Sequence, residues 1–217
     1  MIVVGACLTS MFGGHVTADV VYSDFSSVEG LNLVQAAAQH ESVLRLTRYE
    51  GEYESGAAWH VTKQDVADGF WTTFQFRITQ PPGQDGGDGF AFVIQNSSDT
   101  AITQGIDCGS CLGYASADDL EGIPNSLAIE FDMLPWDGSD DDLPWNHVSV
   151  QTRATSPNRY YTDASLGMVG PIPELDNGSV HTATMIYSPG LLRVFTSGRL
   201  MLTVGVDLGA ILDLDET

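Results

Sequence analysis

Two acids one residue apart, Glu130 and Asp132, followed after an acidic loop by His147, are the side chains of this sequence best suited to chemistry. Residues 126–132 (SLAIEFD) alternate, so a strand there places Ala128, Glu130 and Asp132 on one face and Leu127, Ile129 and Phe131 on the other. Residues 147–151 alternate in the same way, with His147, Ser149 and Gln151 opposite Val148 and Val150. A hairpin joining the two strands sets His147 beside both carboxylates, with Asp142 reaching in from the loop. An isolated buried carboxylate is costly, and a divalent cation that takes oxygen and imidazole ligands offsets that cost. The pattern therefore points to a metal site. The competing reading is an acidic, solvated hairpin.

The elements that must position these residues are short strands. The clearest runs are 43–46, 70–78, 89–94, 126–132, 147–152, 180–187, 191–196 and 200–206, separated by Gly, Asp, Asn and Pro turns. Their β-branched and aromatic content, with no amphipathic helix, argues an all-β antiparallel sandwich. Phe70, Thr72, Phe74 and Phe76 alternate with Trp71, Thr73, Gln75 and Arg77, which gives the apolar face that one sheet packed on another requires. The densest turn region is 80–89 (QPPGQDGGDG), a loop of the kind that carries function on a rigid scaffold. After the strand at 200–206 the sequence stops in LDLDET without a closing strand, which suggests a C-terminally truncated fragment, since a sandwich lacking a strand exposes unpaired backbone.

A chain of 217 residues suits one domain. Its 29 Asp and Glu against 8 Lys and Arg give a net charge of −21, which repels phosphate backbones and anionic membranes and argues against nucleic acid as a partner. Residues 2–14 form an apolar run too short to span a bilayer, so membrane insertion is not expected. They read as the core of a signal peptide over residues 1–18, with Val16 and Ala18 as the small residues before the cut, although no basic residue precedes the run; the alternative is a buried first strand, against which stand the two Gly and the His that follow immediately. The expected products are a secreted protein and a single domain over 19–217. Cys7 leaves with the leader. Cys108 and Cys111 remain as a CxxC pair in a Gly-rich stretch, where a disulfide is the modest reading, because zinc would need a second ligand pair.

Several motifs in order carry a resemblance: Ser23-Asp24-Phe25, residues 69–76 (GFWTTFQF), 87–92 (GDGFAF), Leu112-Gly113-Tyr114, 123–132 (IPNSLAIEFD), and Asp142 through His147 (DLPWNH). Together they resemble the legume-type (L-type) lectins, especially the bacterial and other non-plant members. That resemblance implies a concanavalin-like jelly-roll sandwich with a flat back sheet, a curved front sheet and a small bridging sheet. It implies a secreted, non-catalytic protein that binds glycans or glycoproteins with the help of calcium and a transition metal such as manganese. By motif, Glu130, Asp132, Asp142 and His147 take the transition metal, and Asp132 and Asp142 bridge to calcium. The backbone carbonyl at Leu134 is a further calcium ligand. Imidazole suits manganese, whereas calcium prefers oxygen.

In the same comparison Asp88, often preceded by a cis peptide, accepts hydrogen bonds from sugar hydroxyls, and the Gly109-Ser110 loop donates a backbone N–H. One departure stands out. The family places an Asn four residues after the bridging Asp, and this chain has Trp136 there. Asp137, one residue on, can bind calcium but has no hydrogen to donate when ionised. Trp136 offers an apolar platform for a sugar ring, and Asp140 or Asp141 are further options for the calcium ligand. The sequence leaves these open, as it does the sugar preferred and whether back sheets pack into a homo-oligomer.

Two other functions compete. Laminarinase-type hydrolases carry an E-x-D-x-x-E strand whose two glutamates work at about 5–5.5 Å separation. Here the third position is Pro135, so the acid/base carboxylate is missing. An extracellular matrix or adhesion module with a decayed sugar site is the other alternative, and it draws on Trp136. His15, His40, His60 and His181 have no neighbours in sequence that suggest chemistry.

Overall fold

The computed structural model describes residues 2–11, 20–48, 54–80, 87–103, 109–116, 121–134, 143 and 145–214, the first of these as backbone. Fourteen strands are described. The first six are β1 (Ile2–Met11), β2 (Val20–Tyr22), β3 (Leu31–Gln35), β4 (Ala38–His40), β5 (Val43–Arg45) and β6 (Gly56–His60). Then come β7 (Phe70–Ile78), β8 (Gly89–Gln95), β9 (Ser126–Asp132), β10 (His147–Thr152) and β11 (Ser165–Val169). The last are β12 (His181–Ser188), β13 (Gly190–Thr196) and β14 (Arg199–Val206), followed by a short helix α1 (Leu208–Leu212). The architecture is the expected all-β jelly-roll sandwich of antiparallel sheets.

The large sheet runs β14-β13-β12-β7-β1-β5-β4, with β2 alongside β1. A four-stranded sheet in the order β11-β10-β9-β8 faces it, and β3-β6 forms a small third sheet. The main core lies between the two larger sheets because period-2 alternation aims every second side chain inward. In β7 the buried residues are Phe70, Thr72, Phe74, Phe76 and Ile78, as the sequence pattern requires. From the facing sheet, Phe90 lies 4.7 Å from Phe76 centroid to centroid and stacks on Phe131 at 4.8 Å with only 9° between the planes.

The opposite face of the four-stranded sheet is covered as well. A second cluster of Cys111, Tyr114, Ala115, Ile123 and Ala128, flanked by Trp59 and Tyr160, closes over it. Consequently all seven residues of β9 are buried, polar and apolar alike. That is where the candidate chemistry sits.

Five short strands, β2, β3, β4, β6 and β11, are not evident in the sequence, since runs of three to five residues with little alternation give weak period-2 signals. Residues 2–11, expected as a leader, pair with β7 from Ile2 opposite Ile78 to Met11 opposite Phe70, and with β5 and β2 on the other side. This pairing belongs to the chain with its first residues attached. The terminal LDLDET segment begins in α1, which buries Leu208, Ile211 and Leu212 and is capped by Asp207, whose carboxylate accepts from Ala210 N at 3.3 Å.

Candidate functional site

Register across β8, β9 and β10 builds the site. Gly89, Asp132 and His147 lie in one row, Ala91, Glu130 and Ser149 in the next, and Val93, Ala128 and Gln151 in a third. These rows share one face, and directly opposed residues have Cβ atoms about 4.5–5.5 Å apart, so the hairpin sets His147 beside Asp132 as the alternation implies. Glu130 is 1%, Asp132 4% and His147 1% exposed, which rules out the solvated-hairpin reading for these three residues. Among the described residues no three His, Cys, Asp or Glu side chains close around a single point. Asp142, expected as a fourth ligand, lies outside the described residues, as do Trp136, Asp137, Asp140 and Asp141.

Each of the three buried groups is oriented by a partner. Glu130 accepts from the Tyr114 hydroxyl on Oε1, and from the Ser149 hydroxyl and Gln151 Nε2, the latter at 3.3 Å, on Oε2. Burial pushes its carboxyl above the usual range, against the opposing pull of those donors and of nearby His147. Asp132 Oδ1 accepts from Leu134 N at 3.0 Å. His147 Nδ1 lies 3.1 Å from the Trp145 carbonyl. A carbonyl can only accept, so Nδ1 carries the hydrogen, and a neutral ring then presents Nε2 as an electron-pair donor. A backbone carbonyl fixing the far nitrogen is the usual support of a metal-ligating imidazole. Two carboxylates and an imidazole so oriented on one buried face have the donor chemistry that a divalent cation requires.

A second group of residues meets at the start of β8. The Gly87-Asp88 peptide is cis, as the resemblance implies for this position. The Asp88 carbonyl accepts from Met133 N at 2.8 Å, which ties the loop end to the residue following β9. Gly89 has φ +147°, and a Cβ there would lie 2.2 Å from the Phe131 carbonyl oxygen, so only glycine allows the strand to start so close to β9. A Cβ on Gly109 would fall 1.4 Å from Asp88 Oδ2. The Gly109 backbone is therefore seated directly against the Asp88 carboxylate. Burial raises the Asp88 carboxyl above its ordinary value. The loop itself is held by Leu112 N donating to the Gly109 carbonyl at 3.0 Å and by Tyr114 N and Ala115 N donating to Cys111 O, each at 2.9 Å. Cys111 is 1% exposed and disulfide-bonded, while Cys108 lies outside the described residues. Ser110, next to Gly109, is partly exposed.

Leu134 stands between the two groups. Its backbone N–H reaches Asp132, and its side chain carbons come within 3.2 Å of where a Cβ on Gly87 would be. Of the residues singled out from the sequence, the fold brings Glu130, Asp132 and His147 onto one face, Asp88 against Gly109, and Leu134 beside Gly87. Tyr114 was missed as a partner of Glu130. Its only sequence signal is its place in the Leu112-Gly113-Tyr114 motif.

The model of the legume lectin domain matches residues 17–187. The chain belongs to the legume lectin domain family. It is a legume-lectin-type carbohydrate-binding domain, and solved structures bear out the fold. The lectin from Bauhinia forficata in complex with GalNAc superposes with a TM-score of 0.65 at 22% identity, over 88% of this chain and 83% of that one. The VIP36 exoplasmic/lumenal domain in its Ca2+/Man-bound form gives 0.60 at 17% identity, over 83% and 71%. A mutant of the Emp46p carbohydrate recognition domain gives 0.57 at 17% identity, over 82% and 73%. No curated protein sequence matches the chain.

Proposed function

We propose that this protein is an exported, non-catalytic lectin that binds a glycan at Asp88 and Gly109 and depends on calcium and a transition metal. The observation that carries the reading is the seating of the Gly109 backbone on the Asp88 carboxylate. An acceptor and a backbone segment meeting at one point suit the hydroxyl-rich edge of a sugar, which needs a few oriented polar groups in a shallow site. The Ca2+/Man-bound form of VIP36 supports both the metal and the ligand class. Ser110, Trp136 and Asp137 complete the proposed sugar contacts, with Trp136 as an apolar platform.

Glu130, Asp132 and His147, with Asp142, would hold the transition metal, taken to be Mn2+. Asp132, Asp142, Asp137 and the Leu134 carbonyl would hold Ca2+. When bound, the cations supply positive charge to the buried acids. The chain's own residues do the rest: Trp145 fixes the His147 tautomer, Leu134 N orients Asp132, and β9 carries both acids to the loops at the start of β8. Glu130 suits this role better than attack on a glycosidic bond, since it is buried beneath the sheet's covering loop and Pro135 stands where a second catalytic glutamate would be. The partners are glycans or glycoproteins; nucleic acid and membrane insertion are not. Among the described residues no helix is long and apolar enough to cross a membrane. Export with removal of residues 1–18 would start the mature chain at Asp19 and take β1 out of the large sheet, so N-terminal sequencing decides between a leader and a structural strand: a folded protein that keeps Ile2 would contradict the leader. Glycan binding that survives complete chelation of divalent metals would contradict the proposed metal dependence.

A further inference from the structure

Glu130 is held from two separate elements. Tyr114, from the 109–116 loop, donates to Oε1, while Ser149 and Gln151, alternate residues of β10, donate to Oε2. All three donors are themselves closed to water, at 1%, 0% and 0% exposure. Among the described residues these are its three donors, and a carboxylate offers roughly four lone-pair positions, so Oε1 keeps capacity for one more electron acceptor.

The orientation of Gln151 shows that this arrangement has a cost. Its Nε2 faces Glu130 Oε2, the Ser149 oxygen at 3.2 Å and the Tyr160 carbonyl at 3.2 Å, while its own buried Oε1 has no hydrogen-bond partner among the described residues. An unsatisfied buried acceptor is unfavourable, so the amide is turned toward the carboxylate in spite of that loss. Tyr114 fits the same logic. A phenylalanine would fill the small core of Cys111, Ala115, Ile123 and Ala128 without a hydroxyl to satisfy, whereas the tyrosine directs its hydroxyl at Glu130.

We infer that Tyr114, assisted by Ser149 and Gln151, is a positioning residue for Glu130, fixing the carboxylate so that its remaining Oε1 lone pair is presented to a transition metal. This rests on the metal reading proposed above. It also couples the two halves of the site, because the loop that seats Gly109 on Asp88 is the loop that carries Tyr114.

The test uses Mn2+ alone, followed by loss of its free-ion EPR signal on titration into metal-stripped protein. Wild type, Tyr114→Phe and Ser149→Ala are compared, with melting temperatures in EDTA measured in parallel. The expected result is wild-type binding, with dissociation constants raised about 10–100-fold in Tyr114→Phe, which stays folded without metal although the lost hydrogen bond to a buried carboxylate lowers its metal-free melting temperature. Should Tyr114→Phe fail to fold, Ser149→Ala carries the same comparison. Mn2+ binding equal to wild type in the folded variants overturns the positioning role and leaves the metal reading standing. Absence of Mn2+ binding by wild type overturns the metal reading and this inference together.

Discussion

At the scale of single residues, the contact between Gly109 and Asp88 sets the sharpest expectations. Gly109→Ala places a methyl group on the Asp88 carboxylate, where 1.4 Å separates the added carbon from Oδ2. No adjustment of a few tenths of an ångström relieves such an overlap, so either the loop or the carboxylate must move. Glycan binding should fall by at least tenfold, about 1.4 kcal/mol, while the melting temperature changes little, because Gly109 is exposed and outside both cores. Titration calorimetry with a bound glycan would check this, and unaltered affinity would remove Gly109 from the site. Acid should act through the same carboxyl. Only ionised Asp88 can accept from sugar hydroxyls with both oxygens, and burial raises its pKa above 3.8. Binding attributable to Asp88 is therefore present at neutral pH and lost as pH falls through the raised value, with a midpoint above that of an ordinary aspartate. Affinity that persists unchanged below pH 3.8 in a folded protein would contradict the assignment.

At the scale of elements, β9 and β10 show what a sequence can reveal. Alternation in SLAIEFD and HVSVQT was enough to place Glu130, Asp132 and His147 on one face, because period 2 is a property of the strand itself and survives any packing. Burial on both faces was not legible, since it depends on the 109–116 loop and its apolar cluster folding over the sheet from elsewhere in the chain. The role of Tyr114 was hidden for the same reason: sixteen residues separate it from Glu130, and no local pattern links them. The phenylalanine stack of Phe76, Phe90 and Phe131 lies behind the site, so β9 presents Glu130 and Asp132 on one face while Phe131 anchors the other in the core. Buried acids on such a rigid hairpin should make the folded state depend on cations. A ligand bound only by the native protein stabilises it by about 2.7 kcal/mol at a hundred times its dissociation constant. Chelation with EDTA should accordingly lower the melting temperature by several degrees, read by circular dichroism, and Glu130→Gln should make the protein insensitive to added metal. An identical melting temperature with and without metal would count against the site.

At the scale of the whole molecule, the fold and the family were readable because the motifs recur in order along the chain, from the Asp88 turn through β9 to His147. The edges of the assembly were harder. β2, β3, β4, β6 and β11 owe their existence to neighbours that complete their hydrogen bonds rather than to their own composition. The net charge of −21 repels phosphate backbones and anionic lipid surfaces. A broad glycan array probed with wild type and Asp88→Asn tests whether a carbohydrate is bound at Asp88 with the help of metals. The carboxamide keeps the size of the side chain but replaces a charged acceptor, at a cost of roughly 1.5–3 kcal/mol per charged hydrogen bond lost. Wild type should show calcium-dependent binding to a defined set of glycans, and a folded Asp88→Asn protein should lose it. Wild-type protein that binds no glycan in the presence of calcium and manganese, or binding that Asp88→Asn leaves intact, would contradict carbohydrate binding at Asp88.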